Sequence, residues 1–137
     1  MKTGIEKVLR RPVYKLFLAL ASFCVLVSVA PALSADTLGD EARNAGKPMI
    51  VDFGMTRCAQ CIEEGKVMDR LKAEFGDKAI FRFVHVGKEE QTAADCKILM
   101  IPAIVFYDKT GKEVFRNVGF MDYDAVMKKV KEVGLLN

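Results

Sequence analysis

The sequence predicts an α/β domain over residues 36–137, with a central mixed four-stranded sheet flanked by helices. Two observations lead to this fold class. Segments with apolar residues at helical spacing alternate along the chain with short runs rich in Val, Ile and Phe. A helical segment separates the first two strand-like runs, which makes them parallel neighbours, whereas a tight turn joins the last two as antiparallel neighbours.

The first four predicted elements alternate helix and strand. They are a helix at 36–45, a strand at 49–54, a helix at 59–75 and a strand at 79–86. Gly46 ends the first helix. The first strand is apolar on both faces except at Asp52, which predicts a central position in the sheet. In the longer helix, Glu63 and Glu64 are expected to belong to a solvated charged face.

The second half of the domain is predicted to hold two helices and a β-hairpin. The elements are a short helix at 89–97, strands at 103–107 and 113–118, and a closing helix at 122–133. Asp108-Lys109-Thr110-Gly111 is typical of a hairpin turn between the two strands. Asp122 fits the N-terminus of the closing helix and Gly134 fits its C-terminal end.

Residues 1–35 are predicted to lie outside the domain and to direct export. Residues 1–15 carry five basic side chains against the single acid Glu6, and residues 16–35 carry no charge. A basic start, an apolar stretch and small residues at the end are the order of a secretory signal peptide, with cleavage expected after Ala32 or Ala35. The alternative is a retained membrane anchor, because residues 16–35 are just long enough to span a bilayer. We therefore expect a periplasmic or otherwise exported protein.

Removal of residues 1–35 changes the charge balance of the chain. The whole chain has a net charge of +3, but without this segment Lys plus Arg falls from 21 to 16 and Asp plus Glu from 18 to 17. The remaining domain is close to neutral and has no basic patch with interleaved aromatic residues. We therefore expect no nucleic acid partner. No feature of the sequence indicates an oligomer, and a monomer is expected.

Cys58-Ala59-Gln60-Cys61 is the motif that carries the chemistry. It follows a predicted strand and begins a predicted helix, where unpaired backbone N–H groups and the helix dipole favour a thiolate. A Cys-x-x-Cys pair in this position is typical of a redox-active dithiol. A structural disulfide or part of a zinc site are the two alternatives. A zinc site has about four ligands, and residues 36–137 offer only His85 and Cys96 besides the pair, so no metal and no cofactor are predicted.

Four features of residues 36–137 together resemble the thioredoxin family. They are Asp52 in the first strand, the Cys58–Cys61 motif, Ile101-Pro102 before the third strand and Val118-Gly119 before the last helix. The resemblance implies the thioredoxin fold. It also implies a cis peptide bond at Pro102, beside the redox pair, with Ile101 and Pro102 binding the substrate chain.

Within this family, the sequence is most similar to small exported thioredoxin-like proteins and to the C-terminal periplasmic domain of the transmembrane thiol:disulfide interchange reductase. The similar segments are 46–49, which enters the first strand, and 118–122, which leaves the last strand. The electron-carrying membrane domain of that reductase has no counterpart in this sequence. A membrane or periplasmic protein is therefore expected to supply the electrons.

Ala59-Gln60 stands between the cysteines where thioredoxin has Gly-Pro, and two further positions depart from the thioredoxin pattern. Arg57 stands where thioredoxin has Trp, and its positive charge beside Cys58 is expected to favour the thiolate and to contact the substrate. Phe83 stands where thioredoxin has a Lys that faces the buried Asp, with Arg82 next to it. The second departure bears on how a proton would leave Asp52.

The expected function is thiol–disulfide exchange, with the reduction of protein disulfides favoured over oxidation or isomerisation. Cys58 is the predicted nucleophile and Cys61 the thiol that resolves the mixed disulfide. Asp52, if buried beneath Cys61, would take its proton. The expected partners are disulfide-containing protein substrates. The alternative is a binding module or chaperone that holds cysteine-containing clients without turnover.

Overall fold

The computed structural model describes residues 37–136, so the predicted export segment lies outside the described residues. The elements are α1 (Thr37–Ala45), β1 (Met49–Gly54), α2 (Ala59–Phe75), β2 (Ile80–His85), α3 (Glu90–Asp95), β3 (Ala103–Tyr107), β4 (Glu113–Val118) and α4 (Tyr123–Glu132). Within residues 37–136, none of the helices combines the length and hydrophobicity that a membrane span requires.

The four strands form one mixed sheet in the order β2-β1-β3-β4. Strand β1 is parallel to β2 and antiparallel to β3, and β3 is antiparallel to β4. Every residue of β1 and β3 is buried, as expected for strands covered on both faces. The predicted fold class is therefore confirmed, including the central position of the first strand.

The helix predicted at 89–97 is shorter in the structure. It ends at Asp95, with Cys96 as its C-cap. Lys97 then adopts a positive φ of 55°, which is incompatible with a right-handed α-helix. The backbone N–H of Ile98 donates to the carbonyl of Ala93 and closes this turn.

The sheet separates two hydrophobic clusters. Alternation along β1 sends Val51 and Phe53 into the cluster that also contains Leu38 of α1. Ile50 belongs to the other cluster, together with Leu71 of α2 and Val126 of α4. Asp52, two residues after Ile50, therefore faces the same side of the sheet, beneath α2.

Local side-chain contacts fix the turns that frame the sheet. The carboxylate of Asp122 caps α4 by accepting the Ala125 N–H at 2.8 Å. In the β3–β4 hairpin, the carboxylate of Asp108 accepts the backbone N–H groups of Thr110 at 2.8 Å and Lys112 at 3.1 Å. Both features were predicted from residue type and position alone.

Candidate active site

Cys58 and Cys61 are joined by a disulfide at the N-terminus of α2, with their Cα atoms 5.2 Å apart. Cys58 is the N-cap residue, and its sulfur accepts the Cys61 backbone N–H at 3.2 Å. Cys61 is only 3% exposed, whereas Cys58 is half-buried. The Cys58 sulfur is therefore the one of the two that can react with a sulfur atom of another molecule.

Ile101 and Pro102 lie at the same end of the sheet as this disulfide. The peptide bond between them is cis. Strand β3 begins directly after Pro102, and its first residue, Ala103, pairs with Phe53 near the end of β1. The Pro102 carbonyl accepts the Gly119 N–H at 2.8 Å, which holds the segment after β4 against this edge.

Exposed apolar side chains surround the disulfide end of the molecule. Leu99 is 93% exposed and Met100 is 66% exposed, just before Ile101 and Pro102. Phe120, 44% exposed, lines a shallow depression of about 290 Å³ together with Ala59. Single exposed apolar side chains are common on protein surfaces. A cluster of them, by contrast, is typical of a binding surface.

Asp52 lies in the core below Cys61. Its side chain is 1% exposed, and it faces Phe83 across the parallel ladder between β1 and β2. Gly54, two residues further, packs against Cys61, since a Cβ added at Gly54 would lie 3.4 Å from the Cys61 sulfur. The structure thus joins Cys58 and Cys61 in a disulfide and buries Asp52 two residues before the glycine that packs against Cys61.

The carboxyl group of Asp52 has an unusual electrostatic environment. Neither of its oxygens accepts a hydrogen bond from another group of the described residues. Burial raises the pKa of Asp52 from 3.8 to about 8, and the nearby carboxyl group of Glu64 contributes to the increase. Asp52 therefore retains its proton through most of the neutral pH range.

Glu64 corrects one sequence-based expectation. It was predicted to be solvated with Glu63, but its side chain is 0% exposed. Its Oε1 accepts the Met121 N–H at 2.9 Å. Burial raises the pKa of Glu64, and the hydrogen bond from the Met121 N–H acts in the opposite direction.

The helical periodicity of α2 contained a signal for this buried acid. The buried residues of α2 are Cys61, Glu64, Met68 and Leu71, which recur at spacings of three and four. Glu64 therefore occupies a core position on the apolar stripe. The prediction was wrong because it followed the residue type, since Glu is rarely fully buried, and did not follow the position in the helix.

A small cavity of about 100 Å³ connects Asp52 with the surface between α2 and β2. Asp69 and Lys72 of α2 line it, together with Phe83. The Arg82 side chain does not serve as a cation for Asp52, because it pairs with Glu41 and Glu89. Lys72 is thus the basic side chain of this cavity that forms no ion pair among residues 37–136.

Arg57 and Cys96 lie outside this buried cluster. Arg57 is exposed beside Cys58 and takes part in none of the ion pairs formed among residues 37–136. Cys96 is 5% exposed, with its sulfur 3.6 Å from the Tyr107 hydroxyl. It belongs to the hydrophobic cluster on the face of the sheet opposite Asp52. Within residues 37–136, no cluster of three or more His, Cys, Asp or Glu side chains could hold a metal ion.

Comparison with known proteins agrees with this geometry. The family described as a thioredoxin-like domain matches residues 38–134. The chain is 27% identical to a thioredoxin of Mycolicibacterium smegmatis, with 77% of this chain and 95% of the relative covered. It is 32% identical to thioredoxin 2 of Chlorobaculum tepidum, with 67% and 84% covered. The crystal structure of Fasciola hepatica thioredoxin is similar with a TM-score of 0.61, at 27% identity, with 71% of this chain and 88% of that chain covered.

The resemblance inferred from four sequence features is therefore confirmed at the level of the superfamily. The matched segment includes the Cys58–Cys61 pair, Asp52 and Pro102. The chain belongs to the thioredoxin-like family and is a thiol–disulfide oxidoreductase.

Proposed function

We propose that the chain is an exported oxidoreductase that reduces disulfide bonds in protein substrates. The observation that carries this proposal is the arrangement of one accessible sulfur, on Cys58, above a buried sulfur, on Cys61, and a buried acid, Asp52. The apolar rim around the disulfide supports a protein substrate, because a small thiol compound would not need such a surface. Residues 1–35, with their basic start and apolar stretch, support export by a signal peptide or anchor.

The reaction begins with the reduced pair. The Cys58 thiolate attacks one sulfur of the substrate disulfide, forms a mixed disulfide and releases the other substrate sulfur as a thiolate. The Cys61 thiol then loses its proton to Asp52 and attacks the Cys58 sulfur, which releases the second substrate sulfur. Two electrons pass from the Cys58–Cys61 pair to the substrate, and the pair is left as a disulfide.

Asp52 suits this exchange because its pKa of about 8 lies near neutral pH. The ionised fraction accepts the Cys61 proton when Cys61 attacks, and efficient proton transfer favours a group whose pKa is close to the working pH. The protonated form acts in the return half-reaction. There a donor thiolate attacks Cys58, Cys61 leaves as a thiolate, and Asp52 returns the proton to it.

The buried negative charge favours the reductase direction. Strongly oxidising pairs owe their potential to a stabilised reduced thiolate. The Asp52–Glu64 pair places negative charge below the disulfide, and like charges disfavour each other at short range. A membrane or periplasmic dithiol protein would then regenerate the reduced pair.

The substrate would cross the site along Ile101 and Pro102. Leu99 and Met100 extend this edge with exposed apolar side chains. Arg57 is exposed next to Cys58 and would contact the substrate chain near its reacting sulfur. Together, these residues would form the surface that binds the substrate chain near the Cys58 sulfur.

A trapping experiment tests the proposed turnover. In a Cys61→Ser variant of the full chain, Cys58 can form a mixed disulfide that no thiol resolves, so covalent complexes with substrate proteins should accumulate. A Cys58→Ser variant is the matched control, since it retains the buried thiol and should trap little. Equal recovery of clients by the wild type and both variants, without covalent bonds, would instead indicate a binding module or chaperone.

The reduction potential of the Cys58–Cys61 pair tests the direction. Equilibration of the full chain with dithiothreitol should give a value near that of thioredoxin, about −270 mV. A value near that of the strongest periplasmic oxidants, about −120 mV, would reverse the proposed direction. The family assignment would be unaffected by either result.

A further inference from the structure

We infer that Glu64 is a positioning residue that connects the proton on Asp52 with the wall of the substrate groove. One oxygen of its carboxylate holds the Met121 N–H, and the other accepts the carboxyl proton of Asp52. The consequence for catalysis rests on the proton transfer proposed above. The arrangement itself rests on contacts and burial.

The first half of this arrangement is a direct contact. Oε1 of Glu64 accepts the Met121 N–H at 2.9 Å. Met121 follows Phe120, whose side chain lines the depression beside Ala59 at the start of α2. Gly119, one residue earlier, donates to the Pro102 carbonyl at 2.8 Å. Glu64 and Pro102 thus hold the two ends of the short segment that carries Phe120.

The second half follows from the buried oxygens that have no donor. Oδ1 and Oδ2 of Asp52 and Oε2 of Glu64 are all buried, and no group of residues 37–136 donates a hydrogen bond to them. Buried polar atoms are nearly always hydrogen-bonded. A proton on Asp52 that is donated to Oε2 of Glu64 satisfies two of these three oxygens at once, and the ionised Glu64 still accepts the Met121 N–H.

The other charged groups near the pair do not replace this proton. Asp69 and Lys72 of α2 line the small cavity next to Asp52, and Cys61 lies above it in the disulfide. The side chain of Arg82 on β2 pairs with two glutamates instead. Strand β3 brings the apolar Ile104 opposite Asp52. The cavity gives the shared proton a route to solvent that passes Lys72.

The arrangement makes the groove segment sensitive to the redox step. When Cys61 and Asp52 exchange a proton, the charge on the Asp52–Glu64 pair changes. A hydrogen bond to a carboxylate is stronger when the carboxylate is fully ionised. The bond that holds Met121 therefore changes in strength with the proton on Asp52, and Phe120 lies one residue away.

The test uses the full chain without substrate and follows two sites by NMR. Glu64→Gln keeps the size of the side chain and an oxygen acceptor but removes the charge. The apparent pKa of Asp52, read from its carboxyl carbon, should fall by about one unit or more, because strongly coupled carboxyl groups shift each other by at least that much. The Met121 amide should remain largely protected from hydrogen exchange. In a separate assay with a disulfide substrate, the pH profile of reduction should move to lower pH together with the Asp52 titration.

Two further variants separate positioning from general structural disturbance. Glu63→Gln makes the same chemical change on the exposed neighbouring residue and should leave both readouts unchanged. Glu64→Asp keeps the charge but shortens the side chain, so Met121 amide exchange should accelerate about fivefold through loss of one hydrogen bond. Both substitutions at position 64 change the side chain only slightly, so we expect both variants to fold and to allow both measurements.

Two outcomes would overturn the inference. One is an Asp52 titration in Glu64→Gln that matches the wild type or that shifts no more than in Glu63→Gln. The other is unchanged Met121 exchange in Glu64→Asp. Neither depends on turnover, so a wild-type protein that titrates as described but reduces no disulfide would contradict the proposed function and leave this inference standing.

Discussion

Gly54 at the end of β1 packs directly against Cys61 of α2. A Cβ added at Gly54 would lie 3.0 Å from the Cys61 Cβ and 3.1 Å from the Phe83 ring. The close approach of strand and helix is what places the buried sulfur over the end of the strand that carries Asp52. The redox site therefore requires a residue without a side chain at position 54.

Substitution of Gly54 by Ala should destabilise the protein and disturb the disulfide. Crowding of a well-packed site typically costs about 1–3 kcal/mol of unfolding free energy. Chemical denaturation of the variant measures this cost, and the rate of disulfide reduction reports the displacement of Cys61. Gly65→Ala is the control, because a Cβ at Gly65 in α2 meets nothing within 4 Å. It should stabilise the helix by about 0.5–1 kcal/mol. Equal effects at the two positions would contradict this explanation.

The raised pKa of Asp52 predicts a specific dependence of stability on pH. The folded protein keeps the Asp52 proton up to a pKa of about 8, whereas the unfolded chain releases it near 3.8. The free energy of unfolding should therefore fall as the pH rises between these values and stay level above them, because the unfolded state binds fewer protons throughout that range. The raised pKa of Glu64 acts in the same direction.

Replacement of Asp52 by Asn isolates this contribution. Asn has no proton to lose, so the stability of the variant relative to the wild type should increase from pH 4 to pH 8, by up to about 1.4 kcal/mol per pH unit. The contributions of carboxyl groups with lowered pKa values, such as Glu74 and Asp108, cancel in this comparison because both proteins contain them. Denaturant unfolding across this pH range measures the difference. A constant difference at all pH values would contradict the raised pKa.

The exposed side chain of Leu99 should matter for protein substrates and little for stability. Its 93% exposure predicts that Leu99→Ser changes the unfolding free energy by less than about 0.5 kcal/mol. If a protein substrate covers Leu99, the lost apolar contact should raise KM about three- to tenfold. The kcat/KM for a small aromatic disulfide should stay unchanged, because such a compound does not reach this edge.

A matched variant at the other end of the sheet controls for surface changes. Lys112→Ala alters an exposed side chain in the β3–β4 hairpin and should leave KM for both substrates unchanged. Steady-state kinetics with one protein disulfide and one small disulfide decide the matter. A KM for the protein substrate that Leu99→Ser leaves at the wild-type value would place the substrate elsewhere on the surface.

The sequence by itself determined the order of the elements and the position of the reactive pair. Apolar spacing of two or of three and four residues depends only on neighbours along the chain, and it predicted β1, α2, β3 and β4 with the bounds that the structure has. Neighbouring residues in the sequence also suffice to place Cys58 before a helix and Asp52 within an apolar strand. These features therefore needed no knowledge of the tertiary contacts.

The tertiary structure decided how the buried charges are arranged. Glu64 is buried because the segment before α4 covers its face of α2, and its partner Met121 is 57 residues away in the chain. The pairing of Asp52 with Glu64 likewise depends on how closely α2 approaches β1, which Gly54 permits. The sequence around an acidic residue is the same whether water or a distant segment of the chain covers its carboxyl group. The electrostatics of this redox site are therefore a property of the packed fold, because burial and distance set the free energy of a charge.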